Sequence, residues 1–301
     1  MKAIIQNKYG GPETLQLANV STPVMHDKEI QVKIYASNIA SGDMRINTMA
    51  VPSVLKPIMW VLFGLKGPRR KIRGISASGV VSEIGSKVTK FKRGDAIYFI
   101  NSMKAGCLAE YITLSEKAVI AKKPVKLNFI EAAPVAFGAL SAYHFINSKN
   151  VQKGKNVLIF GASGSVGSYA LQLAKYYGAT VTAVSSKKNH KVLLDLGADH
   201  TIDYHTDDFR LQKKKYDVVF DAVGKLSKKS CKEVLESGSK YLSVKMPTKE
   251  SIVRLEELNA IIEEGKLITL IDSVFEMEEY KEAHELTYSG HKTGNVVLKI
   301  V

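Results

Sequence analysis

Cysteine is scarce in this chain: its 301 residues include two, Cys107 and Cys231. That excludes a disulfide framework and a four-cysteine zinc site, and leaves two ordinary buried thiols as the expectation. Long apolar runs are missing as well. No stretch approaches the ~18 apolar residues of a membrane helix. Pro57 to Leu65 is the most apolar segment, read as loop-like, and Gly64 and Lys66 end it early. Met1 to Gly10 alternates polar and apolar residues and lacks the apolar centre of a signal peptide. A cytoplasmic protein with no membrane partner is expected. No aromatic-rich RNA-binding motif is visible, so no specific nucleic acid is expected either.

Acidic residues are outnumbered, 29 Asp and Glu against 43 Lys and Arg, for a net charge of +14. Much of the excess is scattered lysine, as in Lys213-Lys214-Lys215, which aids solubility and attracts anions without specificity. The densest cluster, Arg69-Arg70-Lys71-Ile72-Arg73, is either a phosphate contact or a solvated loop.

What is present is the composition of a globular protein, 45% hydrophobic and 24% charged, long enough for two domains. The first ~120 residues read as short strands and glycine-rich turns, the pattern of a small barrel-like domain. Glu29 to Ala36 alternates with period two, Gly79 to Gly85 ends in a turn, and Ala109 to Leu114 is a further strand. Ile130 to Ile146 has helical spacing. Strand and helix then alternate: strands at Asn156–Phe160, Thr180–Val184, Tyr216–Asp221 and Tyr241–Val244, helices at Ser165–Tyr177, His190–Leu196, Ser230–Glu236 and Val253–Glu264. Such alternation predicts an α/β fold with a doubly wound parallel sheet. The terminal strand Gly294–Val301 is expected to return to the first domain.

The strand Asn156-Val157-Leu158-Ile159-Phe160 is nearly all apolar, as for a strand buried on both faces. Gly161-Ala162-Ser163-Gly164-Ser165-Val166-Gly167 follows, and then a helix. Strand, glycine turn and helix stand in the order of a dinucleotide fingerprint. Gly161 permits the tight turn, Gly164 lets backbone approach a pyrophosphate, and Gly167 lets helix and strand pack closely. Ser165 and Val166 open the helix, whose N-terminal amides attract phosphate. At the end of the next strand NAD-binding chains carry a carboxylate for the ribose hydroxyls. Here stand Ser185-Ser186-Lys187-Lys188-Asn189. Hydroxyls and ammonium groups suit a 2′-phosphate, so NADPH is the expected cofactor; the alternative is a surface turn with ordinary lysines.

Lys2-Ala3, Pro12-Glu13, Ser41-Gly42-Asp43, Gly79-Val80-Val81, Arg93-Gly94-Asp95, Ala109-Glu110-Tyr111 and Gly161 to Gly167 together resemble the medium-chain dehydrogenase/reductase superfamily. So do Leu196 to Asp199, Ile202-Asp203-Tyr204, Phe220 to Gly224 and Gly290 to Leu298. Within it the chain looks like the zinc-free zeta-crystallin-type quinone oxidoreductases and their enone-reductase relatives. The resemblance implies a GroES-like catalytic domain (1–122 and 270–301) around a Rossmann NADP-binding domain (123–269), with the active site in the cleft. The zinc-ligand positions of the metal branch match Ala40, Ile75 with Ser76 beside it, and Phe137, none of which binds zinc.

Without zinc to assist an alkoxide, a conjugated acceptor is the easier substrate. Reduction of a quinone, or of the C=C bond of an α,β-unsaturated carbonyl, is therefore expected, with a small molecule as partner. The alternatives are an NADP-dependent carbonyl or alcohol oxidoreductase, or an NADPH-binding regulatory or RNA-binding protein. The resemblance implies catalytic roles near Ser41, Asp43 and Arg45, where Asp43 either orients Arg45 or a ribose hydroxyl, or belongs to a buried ion pair. It implies cofactor contacts at Ser141, Tyr204, Val223, Gly224 and Asn295, the last standing where many relatives have lysine. Asn38 is either a nicotinamide contact or a strand-end turn, and His144 is a core or edge histidine. Tyr98, Phe63 and Trp60 line the substrate cleft or pack in the core. Relatives carry a further strand after Val244 that pairs across a dimer; its shortening here leaves a monomer or another dimer surface.

Overall fold

The computed structural model describes residues 1–51, 53 and 56–301. The chain divides into two compact units, Met1–Phe137 with Ile271–Val301, and Gly138–Leu270. Residues 123–137, expected with the nucleotide-binding domain, group with the first unit. In chain order the elements up to that division are β1 (Lys2–Gln6), β2 (Leu15–Asn19), β3 (Glu29–Ile39), α1 (Ser41–Asn47), α2 (Lys56–Phe63), β4 (Ser76–Ile84), β5 (Ala96–Ile100), β6 (Tyr111–Ser115), β7 (Val119–Lys122) and α3 (Phe129–Ala132). The second unit holds α4 (Leu140–Phe145), β8 (Asn156–Phe160), α5 (Ser165–Tyr176), β9 (Thr180–Ser185), α6 (His190–Asp195), β10 (His200–Asp203), β11 (Tyr216–Asp221), β12 (Leu235–Ser243) and α7 (Ile252–Glu263). The chain then returns through β13 (Ile271–Glu276), α8 (Tyr280–Ser289) and β14 (Asn295–Lys299) to the first unit.

In the first unit a mixed sheet runs β13-β14-β3-β4-β5-β7, with β6 paired to β3. The alternation in β3 is a true half-buried pattern up to Ala36: Ile30, Val32, Ile34 and Ala36 are buried, and Glu29, Gln31, Lys33 and Tyr35 are half-buried. Ile30, Val32 and Ile34 pack with Ile4, Val81, Phe99, Leu108 and Val296 into one core, and Ala36 packs with Ala133 and Val297. The return of β14 to β3 in antiparallel register (Val297 opposite Asn38) matches the expectation for the chain's end. α3 belongs here because Phe129 stacks on Tyr35, ring centres 4.6 Å apart, and its carbonyl accepts from Ser78 Oγ at 2.6 Å.

In the second unit five parallel strands run β10-β9-β8-β11-β12. The order reverses between β8 and β11, so the carboxyl ends of those two strands flank the crevice where such sheets bind ligands. β12 lies at the edge and is broken: Tyr216 pairs Leu235, but Val218 pairs Lys240, and Gly238 between them has φ +76°. Both cysteines are buried.

Local structure departs from expectation at three places. Ile130 to Ile146 is not one helix, because Pro134 has no amide hydrogen to continue α3; a π-helical turn at Val135–Ala139 intervenes before α4. Residues 230 to 236 form no α-helix; a 3-10 turn at Lys229–Val234 leads directly into β12. The apolar segment taken as a loop is helix α2, and none of its residues is buried. Among the described residues no helix is long and apolar enough to cross a membrane.

Candidate functional site

In the second unit the chain leaves β8 through a closed turn. Gly161 N and Ala162 N donate to Val184 O (3.0 and 3.1 Å), and Gly164 N donates back to Gly161 O at 3.1 Å. Gly161 has φ +76°, where a side chain is strained, and a Cβ on it would meet Val223 Cγ2 at 2.1 Å. A Cβ on Gly167 would lie 2.1 Å from Gly161 O and 2.8 Å from Ala162 Cα, so this glycine sets how closely α5 approaches the strand. Gly164 differs. Its φ is −77° and a Cβ would meet only Gly161 O, at 3.5 Å. Nothing in the protein demands glycine there, and no side chain caps the helix it begins. Gly164 thus leaves space at a helix N-terminus, as a pyrophosphate requires, and the turn fits a dinucleotide.

The loop after β11 closes the other side of the crevice. Asp221, fully buried, accepts from Val223 N (3.1 Å) and Gly224 N (2.8 Å) on one oxygen and from Leu226 N (2.8 Å) on the other. That carboxylate holds the loop so that Val223 sits against Gly161. Val223 and Gly224 are expected cofactor contacts; Asp221, in the same motif, is not. The signal available was an acidic residue ending an otherwise apolar strand.

Beyond β9, the four expected contacts Ser185, Ser186, Lys187 and Asn189 separate into two kinds. Ser185 is buried and its Oγ donates to Ser186 O at 3.0 Å. Asn189 Nδ2 donates to Ser163 Oγ (3.0 Å) and Ser186 Oγ (3.2 Å). Both therefore shape the turn. Ser186 is half-buried, and Lys187 and Lys188 are exposed. Tyr204 is 48% exposed, its amide bonded to Ser185 O (3.2 Å) and its ring 6.5 Å from that of Phe160. Ser141 is half-buried in α4, whose approach at Gly138 is tight against Ser165 Oγ and Tyr169. His144 Nδ1 lies 2.6 Å from Arg254 Nη1, and burial, then the Arg254 charge, hold its pKa down, which fits an edge histidine.

In the first unit α1 presents Ser41 and Arg45 to solvent and hides Asp43. Asp43 does not meet Arg45. Its Oδ2 accepts from Ala40 N at 2.9 Å, capping its own helix, and its Oδ1 has no hydrogen-bond partner. Burial raises the carboxyl to about 7, opposed by the Ala40 amide and the Arg73 charge. Arg73, missed as a partner, is itself buried and donates from Nε to Asn47 Oδ1 at 2.7 Å. Asn47 in turn bonds Tyr288 Oη at 3.3 Å. Asn38 is inside β3 rather than at a turn. It stands opposite Ser76, and neither its amide nor Ser76 Oγ has a partner although both side chains are buried. Asn295 is buried at the start of β14. Tyr98 is fully buried core, whereas Trp60 is 37% exposed on α2.

Two family models match this chain: the alcohol dehydrogenase GroES-like domain over residues 26–125 and the zinc-binding dehydrogenase over residues 165–288. The 2-methylene-furan-3-one reductase of Solanum lycopersicum is 33% identical, over 99% of this chain and 79% of that protein. The chain belongs to the medium-chain dehydrogenase/reductase superfamily. This medium-chain dehydrogenase/reductase is also 31% identical to the chloroplastic NADPH-dependent alkenal/one oxidoreductase of Arabidopsis thaliana, over 99% of this chain and 79% of that protein. Among solved structures it is similar to the quinone oxidoreductase from Coxiella burnetii, with TM-score 0.84, 29% identity, and coverage of 100% and 99% of the two chains.

The positions expected from the resemblance to match zinc ligands can be read in space. A Cβ on Gly42 would meet Ile75 Cδ1 at 2.8 Å and Phe137 Cε2 at 2.9 Å, and Ala40 is buried two residues away. Side chains converge there, but they are hydrocarbon and offer no lone pair. Among the described residues no group of three or more His, Cys, Asp or Glu side chains could hold a metal ion.

Proposed function

We propose that this protein is an NADPH-dependent reductase of α,β-unsaturated carbonyls and quinones that works without zinc. The observation that carries the reading is the cradle at the switch point. Gly164 leaves room for a pyrophosphate at the start of α5, and β9 runs out into Ser186 and Lys187 where a carboxylate would repel a 2′-phosphate. The names of the tomato and Arabidopsis relatives support the substrate class.

When bound, NADPH supplies a hydride to the β-carbon of the enone or to the quinone. Charge then develops on the substrate oxygen, and in this chain hydrogen-bond donors must stabilise it, because Ala40, Ile75 and Phe137 cannot ligate a metal. Asn38 Nδ2 and Ser76 Oγ are two buried donors without partners, one strand position from Ile39 and Ile75. Protonation by solvent, at the α-carbon of an enone or at the oxygen of a quinone, completes the reduction. Asp43 acts by position: it fixes Ala40 and the start of α1, and so the hydroxyl of Ser41 and the guanidinium of Arg45. Lys187 and Ser186 are assigned to the 2′-phosphate, Gly161, Gly164, Ser165 and Val166 to the pyrophosphate, and Ser141, Tyr204, Val223, Gly224 and Asn295 to the remainder of the cofactor.

The test is oxidation of NADPH followed by absorbance against quinones, enals and saturated aldehydes, with NADH as control. Turnover of an enal or quinone with NADPH preferred is expected. NADP-linked alcohol oxidation at a similar rate would overturn the reading, and tight binding without any turnover would make the protein a nucleotide-binding regulator.

A further inference from the structure

Helix α2 carries the sequence Lys56-Pro57-Ile58-Met59-Trp60-Val61-Leu62-Phe63, apolar on every side after its first residue. A helix apolar all round normally lies in a core or in lipid. This one does neither within the protein: Ile58 is 59% exposed, Val61 67% and Leu62 50%. Leu65 and Met103 extend the patch, at 67% and 62%. Single exposed apolar residues need no explanation, but a group of this kind marks an interaction surface.

Its surroundings are of one charge. From Met44 to Ser82 the chain has seven Lys and Arg and no Asp or Glu. Lys66, Arg69, Arg70 and Lys71 follow α2 directly, are exposed, and make no ion pair among the described residues. Leu62, Phe63, Arg69, Arg70, Met103 and Lys104 line one depression, so apolar and cationic groups are interleaved. The loop is fastened to the helix: Arg69 N donates to Phe63 O at 2.7 Å, and Tyr9 Oη to Gly64 O at 2.9 Å.

We propose that α2 and the loop Gly64–Lys71 form a docking surface for anionic phospholipid, with α2 lying in the bilayer interface and the cations on the headgroups. Interfacial binding needs apolar area plus basic flanks and no spanning length, so the short apolar segment that excludes a membrane helix does not exclude this. A second copy of the chain is a poor occupant, since two such faces would bring like charges together.

Trp60 is the only tryptophan, which makes the test direct. The full chain is mixed with vesicles of phosphatidylglycerol and phosphatidylcholine, or of phosphatidylcholine alone. Sedimentation and Trp60 emission are read together. Anionic vesicles are expected to carry the protein down and shift Trp60 emission to the blue, and brominated lipid to quench it. Val61→Glu with Leu62→Glu should abolish the shift, and Arg69→Glu with Arg70→Glu should weaken partition by at least about tenfold. Both pairs are exposed, and circular dichroism checks that they fold. Sedimentation without any change in Trp60 would mean attraction by net charge alone and overturn the proposal. So would equal binding to neutral vesicles, or a dimer in solution that the Val61 and Leu62 variants dissociate.

Discussion

A Cβ on Gly167 would lie 2.1 Å from the carbonyl oxygen of Gly161, whereas one on Gly164 would meet only that same oxygen, at 3.5 Å. The two glycines therefore fail differently. Gly167→Ala should cost roughly 1–3 kcal/mol of stability by overpacking α5 against the turn. Gly164→Ala should unfold at the wild-type temperature yet bind NADPH at least about tenfold more weakly, a loss of ~1.4 kcal/mol. Thermal unfolding with and without NADPH separates the two; equal effects of both variants on the free protein would refute the assignment.

Asp221 is the residue whose loss should be felt both in stability and in binding. Replacing it by alanine leaves three amides of the Val223–Leu226 loop unpaired. Of these the Gly224 amide is buried, and a buried amide left without a partner costs roughly 1–3 kcal/mol. A lowered urea midpoint and a raised NADPH dissociation constant are expected together.

Lys187 should act on one cofactor only. Lys187→Glu is expected to raise KM for NADPH by about tenfold, the worth of one charge-assisted hydrogen bond, and to leave KM for NADH within error. Steady-state kinetics with both cofactors measure this, and a parallel rise in both would assign Lys187 to general positive charge.

Asp43 and His284 give stability a pH dependence of opposite sign. Asp43 titrates near 7 in the fold against 3.8 when unfolded, so its contribution is present below 3.8 and is lost as pH rises through 7. His284, held neutral by burial, is pulled down from 6.5 to about 4, so its contribution is present above 6.5 and is lost as pH falls through 4. Asp43→Asn keeps an oxygen for the Ala40 amide but cannot ionise. The stability of wild type relative to this variant should fall by up to roughly 4 kcal/mol between pH 4 and 7. Urea titrations across that range would show it, and a flat difference would mean that the fold does not raise the carboxyl.

The edge strand β12 bears on assembly. With Gly238 and its neighbours looped out between Leu235 and Lys240, this edge is a poor template for another strand. Native mass measurement should find no dimer held by that edge, and backbone amides of Lys240 to Ser243 should exchange with solvent at the same rate at low and high protein concentration.

The β8 to α5 unit was legible because three independent patterns coincide there: a continuous apolar strand, spaced glycines and a helical face. The same holds for β3, whose alternation survives folding unchanged. The catalytic region was not legible to the same degree. Asp43 and Arg45 are neighbours in sequence, but two residues apart on a helix they point to different sides, and the buried charge near Asp43 comes from Arg73 on a loop. Asp221 was hidden for a similar reason. Its role lies in three backbone amides, which no side-chain motif records. α2 was taken for a loop because an apolar helix that nothing in its own chain covers has no periodicity to detect.

Both thiols are sealed inside the fold, and burial drives the pKa of Cys107 and of Cys231 upward. Enones and quinones are soft electrophiles that alkylate thiolates, and thiolate at the surface is what they seek. On the proposed function, the protein meets such compounds with no cysteine exposed for them to modify. If enones and quinones are its substrates, the placement of two sulfur atoms guards the protein against alkylation by them.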